Sequence, residues 1–319
     1  MGYGFSGHIG IARETTWGSG VAAIAYCEAL SEGLSSNFDR FDYKNIVGTL
    51  AESDDMTGTN RVMGPMVLAS HPQNIGHFLS SFFNGATVTT VGSFLFSHVF
   101  TQPTNSNSAF STACPTVPYT FEIFRDVTSS MQYTGCVVKE LSFSIAANQD
   151  VRANVGLLGR GTSVIAKTTP TFPSSSAKPF KFSQASISIA GVATTLIESL
   201  NIKMTNPCDG VPVPNLSDDI AKIVRTGSQT VELSGTLDFQ NITEYMNFKN
   251  QTEQAFKISL LAPASFQMVL DMPKVVYTAF PVGIPGKDRL TIDFTAKAQY
   301  LPSSGTGIRV TLTSNQSFF

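Results

Sequence analysis

Apolar and polar residues alternate along most of this chain. Leu290, Ile292, Phe294, Ala296, Ala298 and Tyr300 fall on one side of such a run; Arg289, Thr291, Asp293, Thr295, Lys297 and Gln299 fall on the other. A period of two over that length marks a strand with one dry and one wet face. Val231, Leu233, Gly235, Leu237 and Phe239 alternate with Thr230, Glu232, Ser234, Thr236 and Asp238 in the same way. Shorter runs occur at Leu141/Phe143/Ile145, Phe256/Ile258/Leu260 and Ile308/Val310/Leu312, with Ser, Thr, Gly and Pro between them. The fold class is therefore mainly β. Two segments carry helical spacing instead. In Pro72 to Phe83, Ile75, Phe78, Leu79 and Phe82 repeat at i, i+3, i+4, i+7, with Ser70 or His71 near the N-cap. In Ile242 to Phe248, Ile242, Tyr245 and Met246 share a face and Asn241 is the natural cap.

These helices expose an internal repeat. Each comes after a strand with Gly-x-apolar-x-apolar, Gly64-x-Met66-x-Leu68 and Gly235-x-Leu237-x-Phe239. Upstream, Cys27-Glu28-Ala29-Leu30 resembles Ile197-Glu198-Ser199-Leu200; downstream, each half has a hydrophobic strand, then Tyr133-Thr-Gly or Tyr277-Thr-Ala. The Pro/Ser-rich stretch Thr168 to Pro179 can continue neither a strand nor a helix. The expected organisation is a first domain over 1–172, including an N-terminal arm, and a second over 173–319.

Composition narrows the function classes. Charged residues are 14% of the 319, against roughly 25% in an average soluble chain, which suits polar surface hidden in an assembly. The formal net charge is −2 and no basic stripe is visible, so tight phosphate binding is not expected. The four cysteines show no CxxC spacing and read as reduced thiols of a cytoplasmic product. The start of the chain lacks the pattern of a signal peptide, and no apolar run reaches membrane-spanning length. No nucleophile elbow, phosphate loop or paired-histidine metal motif occurs, and His71 and His77 fall on different faces of their helix, His77 on an exposed one. No catalytic residue, cofactor or metal is expected, and the chain reads as a non-enzyme.

Several segments resemble the tail tube (major tail) family of long-tailed bacteriophages: GHIGIARETTWGSGVAA (Gly7 to Ala23), EALSEGLSSNFDRFDYKNIVG (Glu28 to Gly48), PYTFEIFRDVTSSMQYTGCVV (Pro118 to Val138), LIESLNIKMTN (Leu196 to Asn206), SGTLDFQNITEYMNF (Ser234 to Phe248) and VYTAFPVGIPGKDRLT (Val276 to Thr291). The resemblance implies β-sandwich tube domains with a flanking helix. Their inner strands would close into a barrel between subunits, in rings stacked to a length set by a tape-measure protein, with terminator and baseplate proteins at the ends. Double-stranded DNA would pass through transiently and without sequence preference. The location implied is the virion tail, assembled in the host cytoplasm, with no membrane partner. Combined with the repeat, it favours homotrimeric, pseudo-sixfold rings over hexameric ones. Another ring-forming tail component, or a carbohydrate-binding adhesin module, is the alternative reading.

The residues expected to line the lumen are Thr230, Glu232, Ser234, Thr236 and Asp238, then Ser199, Asn201, Lys203 and Thr205, with Ala29, Ser31, Gly33 and Ser35 as small first-half equivalents. The strand Thr230 to Asp238 by itself offers two carboxylates and no cation. Glu28 and Glu198, at matched positions on the apolar side, would need partners across a subunit seam. The long polar stretch with Arg40, Asp42, Glu52, Asp54, Asp55 and Arg61 is the candidate ring-stacking loop.

Overall fold

The computed structural model describes residues 3–42, 46, 48, 51, 54–103, 109–173, 178–215, 217–283 and 289–319. The first half runs β1 (His8–Arg13), β2 (Ala25–Cys27), β3 (Ala29–Glu32), β4 (Ser35–Asp42), β5 (Asp55–Ala69), α1 (Ile75–Phe83), β6 (Thr87–Gly92), β7 (Leu95–Thr101), β8 (Tyr119–Phe124), β9 (Ser130–Ala146), β10 (Arg152–Gly159) and β11 (Gly161–Ile165). The second runs β12 (Ala185–Ile189), β13 (Val192–Thr194), β14 (Ile197–Thr205), β15 (Cys208–Val211), β16 (Lys222–Arg225), β17 (Thr230–Asp238), α2 (Thr243–Lys249), β18 (Gln254–Leu261), β19 (Gln267–Ala279), β20 (Thr291–Ala298) and β21 (Arg309–Ser314). The chain is mainly β, as its alternation requires.

Seven antiparallel pairings recur in both halves. On the outer side β2–β1–β8–β9–β11 corresponds to β13–β12–β18–β19–β21. On the inner side β3/β4–β5–β10–β9 corresponds to β14–β17–β20–β19. β9 and β19 each serve both layers. Two strand pairings join the halves, beside the isolated bridges Asn60–Asp219 and Asp150–Lys181. The C-terminal part of β9 lies along β14, making one inner sheet that does not close within the chain, and β7 adds to β21 in the outer layer. The core fills the space between the layers, with Leu141, Phe143, Ile202, Leu233 and Phe294 from the inner sheet meeting Phe121, Ile258 and Leu270 from the outer one.

Helix α1 is buried throughout and is closed by Asn84 in the left-handed conformation (φ 66°), whose N–H reaches the Ser80 carbonyl. It starts three residues later than Pro72, because Pro72, Gln73 and Asn74 form a turn in which the His71 carbonyl accepts from Asn74 and Ile75 N–H. His77 is not exposed: it is buried edge-on between the Tyr119 and Phe319 rings, and burial lowers its pKa to about 4. Helix α2 covers Thr243–Lys249, with Asn241 accepting the Thr243 N–H; Ile242 and Met246 stay exposed. The four cysteines are free and buried.

The supposed N-terminal arm is a strand of the outer layer. β1 pairs along its whole length with β8, and the segment after β1 is pinned by one carboxylate. Fully buried Glu14 accepts from the Thr120 hydroxyl and the Gly135 and Gly18 N–H groups, while Trp17 Nε1 donates to the Gly135 carbonyl and the Arg160 guanidinium sits over the indole. The Glu-Thr-Thr-Trp-Gly segment is thus a clamp onto Tyr133-Thr-Gly. Burial raises the Glu14 pKa against the pull of these bonds.

Candidate functional site

The outward face of the inner sheet brings the polar sides of β9, β14, β17 and β20 together. Register sets its composition row by row. Asn201 stands between Ser144 and Ser234, and Ser234 faces Thr295 on its other side. Lys203 stands between Ser142 and Glu232, and Glu232 faces Lys297. Thr205 stands between Glu140 and Thr230. Side chains on this face bond along the rows: Ser199 Oγ donates to Thr236 Oγ1 at 3.2 Å, and Thr236 Oγ1 to Asp293 at 2.8 Å. Ser144, Ser199, Asn201, Ser234, Thr236 and Asp293 line a shallow concavity of about 320 Å³.

The polar faces expected of β14 and β17 therefore land together on one surface, but its electrostatics change. Alone, β17 carries Glu232 and Asp238 and no cation. In the sheet, Glu232 lies between two lysines, and Lys203 pairs with Glu140 across the β9–β14 joint at 3.1 Å. Asp238 faces Arg289 at 3.4 Å. The face is a mosaic of hydroxyls with opposite charges interleaved, and it has no cationic stripe of the kind that grips a phosphate backbone.

Two further expectations shift. Ser31, Gly33 and Ser35 belong to the polar face, opposite Val67, Pro65 and Met63, but Ala29 stands opposite Leu68 and packs against the core. A bulge between Ala29 and Ser31 turns the strand over. Glu28 is exposed rather than buried. Glu198 is exposed too, pushed out by the bulge between Ile197 and Ser199, and its partner is Arg289 of the same chain. Register also matches position 198 with Glu32, not Glu28, since Leu200 lies beside Gly235 as Leu34 lies beside Gly64. Glu32 is held by Arg125, whose guanidinium donates to both its carboxylate oxygens.

The expected stacking loop is flanked by the antiparallel pair β4–β5. Arg40 and Asp42 lie on β4, and Asp55 and Arg61 on β5; Arg40 pairs with Asp55 at 2.7 Å and Arg61 with Asp39. Asp54 is exposed just ahead of β5, and Glu52 lies outside the described residues. Phe38, Phe41 and Met56 are exposed along this hairpin, an apolar content that the polar reading of the segment passed over. Its second-half counterpart, residues 206–229, folds back instead over the first half. There Asn60 bonds Asp218, Asp219 and Ile220, and Ile220 and Ile223 join a small core with Trp17, Val137 and Leu158.

Sequence reasoning also missed Glu122. It is buried in β8, accepts from Ser130 and from both the N–H and hydroxyl of Thr168, and has His8 at 3.6 Å. Burial pushes its pKa up, but those bonds and His8 outweigh it and the net shift is downward. The signal was a lone carboxylate in the otherwise uncharged run Tyr119–Phe124. Among the described residues no group of three or more His, Cys, Asp or Glu is arranged to hold a metal ion, and no helix is long and apolar enough to cross a membrane.

The family described as phage tail tube protein matches residues 4–296. No curated protein matches the chain.

Proposed function

The chain belongs to the phage tail tube protein family, and on that premise we propose that three copies close into one pseudo-sixfold ring of a stacked tail tube. Residues 1–172 and 173–319 would be two fused tube units descended from a duplication. The observation that carries this reading is the recurrence of all seven strand pairings in the two halves, with the inner sheets already joined by β9–β14.

Geometry favours three chains over six. The inner sheet has eight strand positions, β3/β4, β5, β10, β9, β14, β17, β20 and β19. Three chains would supply 24 strands; at about 4.8 Å between strands and a tilt near 40°, that barrel is roughly 48 Å across its backbone. Six chains would double the width, far beyond what a DNA duplex fills. Closure would also remove the free sheet edges that otherwise invite aggregation.

In this reading the mosaic face lines the channel, and DNA leaving the capsid slides past hydroxyls and locally neutralised charges without a cationic hold. A tape-measure protein would occupy the lumen during assembly, and terminator and baseplate proteins would bind the tube ends. Electron microscopy of the purified protein at high concentration, with native mass of any ring, tests the proposal. Regular hollow tubes built from three-chain rings are expected. A stable globular monomer would overturn the tube, a single ring that never stacks would point to a terminator, and rings of six full chains would overturn the stoichiometry.

A further inference from the structure

Where the crossover 206–229 leaves the inner sheet, several buried polar atoms have no hydrogen-bond partner among the described residues. Asn206 is fully buried, and neither atom of its side-chain amide is bonded. Thr116 is fully buried with an unpaired hydroxyl, and Arg225 Nε and Gln229 Oε1 are buried atoms without a partner as well. Unpaired polar groups in a protein interior are costly, and an unpaired cation more so.

Register brings these residues together. The ladders of β14 with β17 and with β9 end at Thr205, opposite Thr230 and Glu140. One step on, the Asn206 N–H donates to the Lys139 carbonyl at 2.8 Å. The same step brings Gln229 to the other side of Asn206, and Gln229 Nε2 is fixed on the Phe82 carbonyl at the end of α1. Cys208 then pairs with Arg225, and the Pro207 carbonyl accepts the Thr226 N–H. Asn206, Cys208 and Arg225 thereby share one face of the β15–β16 ribbon. Residues 113–116 of the first half lie against that ribbon: the Ala113 carbonyl accepts the Ile223 N–H, Arg225 Nη2 donates to the Pro115 carbonyl at 3.3 Å, and Cys114 Sγ to the Thr116 carbonyl at 3.0 Å.

The charges at this junction are cationic and unpaired. Among the described residues neither Arg225 nor Lys139 makes an ion pair. Burial lowers the Arg225 pKa, and no carboxylate opposes it. Lys139 is near enough to act on the Cys208 thiol, which burial pushes up to about 11 against the pull of Lys139 and Arg225. The carboxylates nearby are engaged elsewhere. Asp209 is exposed and accepts the Gly210 N–H, Glu140 pairs with Lys203, and Glu14 is held by Thr120, Gly135 and Gly18. We infer that the junction is a binding site for a small inorganic oxyanion, phosphate in its protonated forms, seated among Arg225, Asn206 and Thr116 with Lys139 beside it. Arg225 Nε, Asn206 Nδ2 and the Thr116 hydroxyl donate to the ion. Asn206 Oδ1 and Gln229 Oε1 accept hydrogens that phosphate carries near neutral pH and that sulfate and chloride lack. Because Asn206 and Thr116 are fully buried, the seat takes a free ion and not a phosphate held in a duplex backbone. The ion ties β9, residues 115–116 and the crossover, and so the two halves, at one point.

Thermal unfolding of the purified full chain in phosphate, sulfate and chloride at constant ionic strength tests this. Sulfate and phosphate both stabilise folded proteins by exclusion from the surface, so the decisive signal is saturation. The melting temperature should rise with phosphate and level off as the site fills. Sulfate, chloride and duplex DNA at equal phosphate content should give no such plateau. Arg225→Gln should weaken phosphate binding by about tenfold or more, the loss of a hydrogen bond to a charged group. Thr116→Val removes the unpaired hydroxyl at similar volume; it should melt no lower than the parent without phosphate, yet bind the ion more weakly. Equilibrium dialysis of the parent against radiolabelled phosphate, with about one ion retained per chain, does not depend on either variant folding. Absence of both plateau and retention would overturn the site, as would equal plateaus in the parent and Arg225→Gln; ordered water would then satisfy these groups. An equal plateau in sulfate would overturn the choice of phosphate, and one in DNA would overturn the seat for a free ion. None of these outcomes touches the tube reading.

Discussion

Replacing Gly235 with alanine should cost the protein stability, although general strand preference says the reverse. A strand-interior glycine is about 0.5–1 kcal/mol worse than alanine, through the freedom it loses on folding. At Gly235, however, an added Cβ would stand less than 3.0 Å from the Ser199 carbonyl oxygen of β14, and within 3.2 Å of the Phe294 ring. That oxygen is backbone, and β14 is held on both sides by β9 and β17, so it cannot swing away as a side chain could. Overpacking of this kind costs about 1–3 kcal/mol. Taking the upper end and subtracting the propensity gain leaves a net loss of about 2 kcal/mol. For a chain of 319 residues that is a fall in melting temperature of roughly 3 °C. Gly64 sits against the Gly33 carbonyl in the same way, but β3 and β4 form a free edge that can give ground, so Gly64→Ala should cost less in the unassembled chain. Gly92, on exposed β6 with only ordinary contact to Leu95 at 3.7 Å, is the control, and Gly92→Ala should stay level or gain slightly. Thermal unfolding of the three variants, followed by circular dichroism, reads the effect. If Gly235→Ala melts at or above the parent temperature, the close approach of β14 and β17 is not a constraint and the argument fails.

Acid should weaken the fold through His77. Its folded-state pKa of about 4 lies below the usual 6.5, so the unfolded chain binds the extra proton first, and stability falls between pH 6.5 and 4 by up to about 3 kcal/mol. Urea unfolding across that range should show a steeper slope in the parent than in His77→Phe, which keeps the part contributed by His98, lowered by burial as well. The two buried glutamates should behave oppositely. The lowered pKa of Glu122 gives stability that is present above the ordinary glutamate range and lost as pH falls through the folded value, and Glu122→Gln should remove that loss. The raised pKa of Glu14 makes its ionisation unfavourable to folding, so any deficit of Glu14→Gln should narrow as pH rises from 4.5 through the folded value. On the polar face, Glu232→Lys would leave three lysines in register, Lys203, 232 and Lys297, and such tubes should bind duplex DNA in filter assays at 50 mM salt and release it by 200 mM. Equal retention by parent and variant tubes would count against that face as the channel lining.

Period-two alternation made the faces of β14, β17 and β20 readable, because an antiparallel sheet with one wet side writes that period into its residues. Leu233, Leu237, Ile292, Phe294 and Ala296 are buried as their spacing requires. What alternation cannot carry is register across strands. One extra residue at the Ala29/Ser31 bulge moved Ala29 to the packed face, and another at Ile197/Ser199 moved Glu198 out to Arg289. Register likewise decides that Glu232 sits between two lysines distant in sequence. His77 was misplaced because the ring that buries it, Phe319, comes from the far end of the chain. The β6–β7 hairpin gave no sign that its partner would be β21 in the other half.

The halves differ where they touch, and that bears on how a ring would come apart. Inside the chain the joint is threefold: β9 on β14, β7 on β21, and residues 206–229 laid over β5 and the small core around Trp17. The second half has no counterpart of β6–β7, since α2 leads directly to β18; β11, the counterpart of β21, accordingly keeps an open outer edge at exposed Val164. Between chains the available elements include the β4 edge and the β4–β5 pair with exposed Phe38, Phe41 and Met56. In a pseudo-sixfold ring of three chains, strong and weak joints therefore alternate, and the weak ones number three. Disassembly should release intact single chains with both halves folded, visible by native mass spectrometry as monomers of 34.2 kDa. Rings whose native mass corresponds to six chains would mean that the weak joints are twice as many, and that the two halves do not substitute for two subunits.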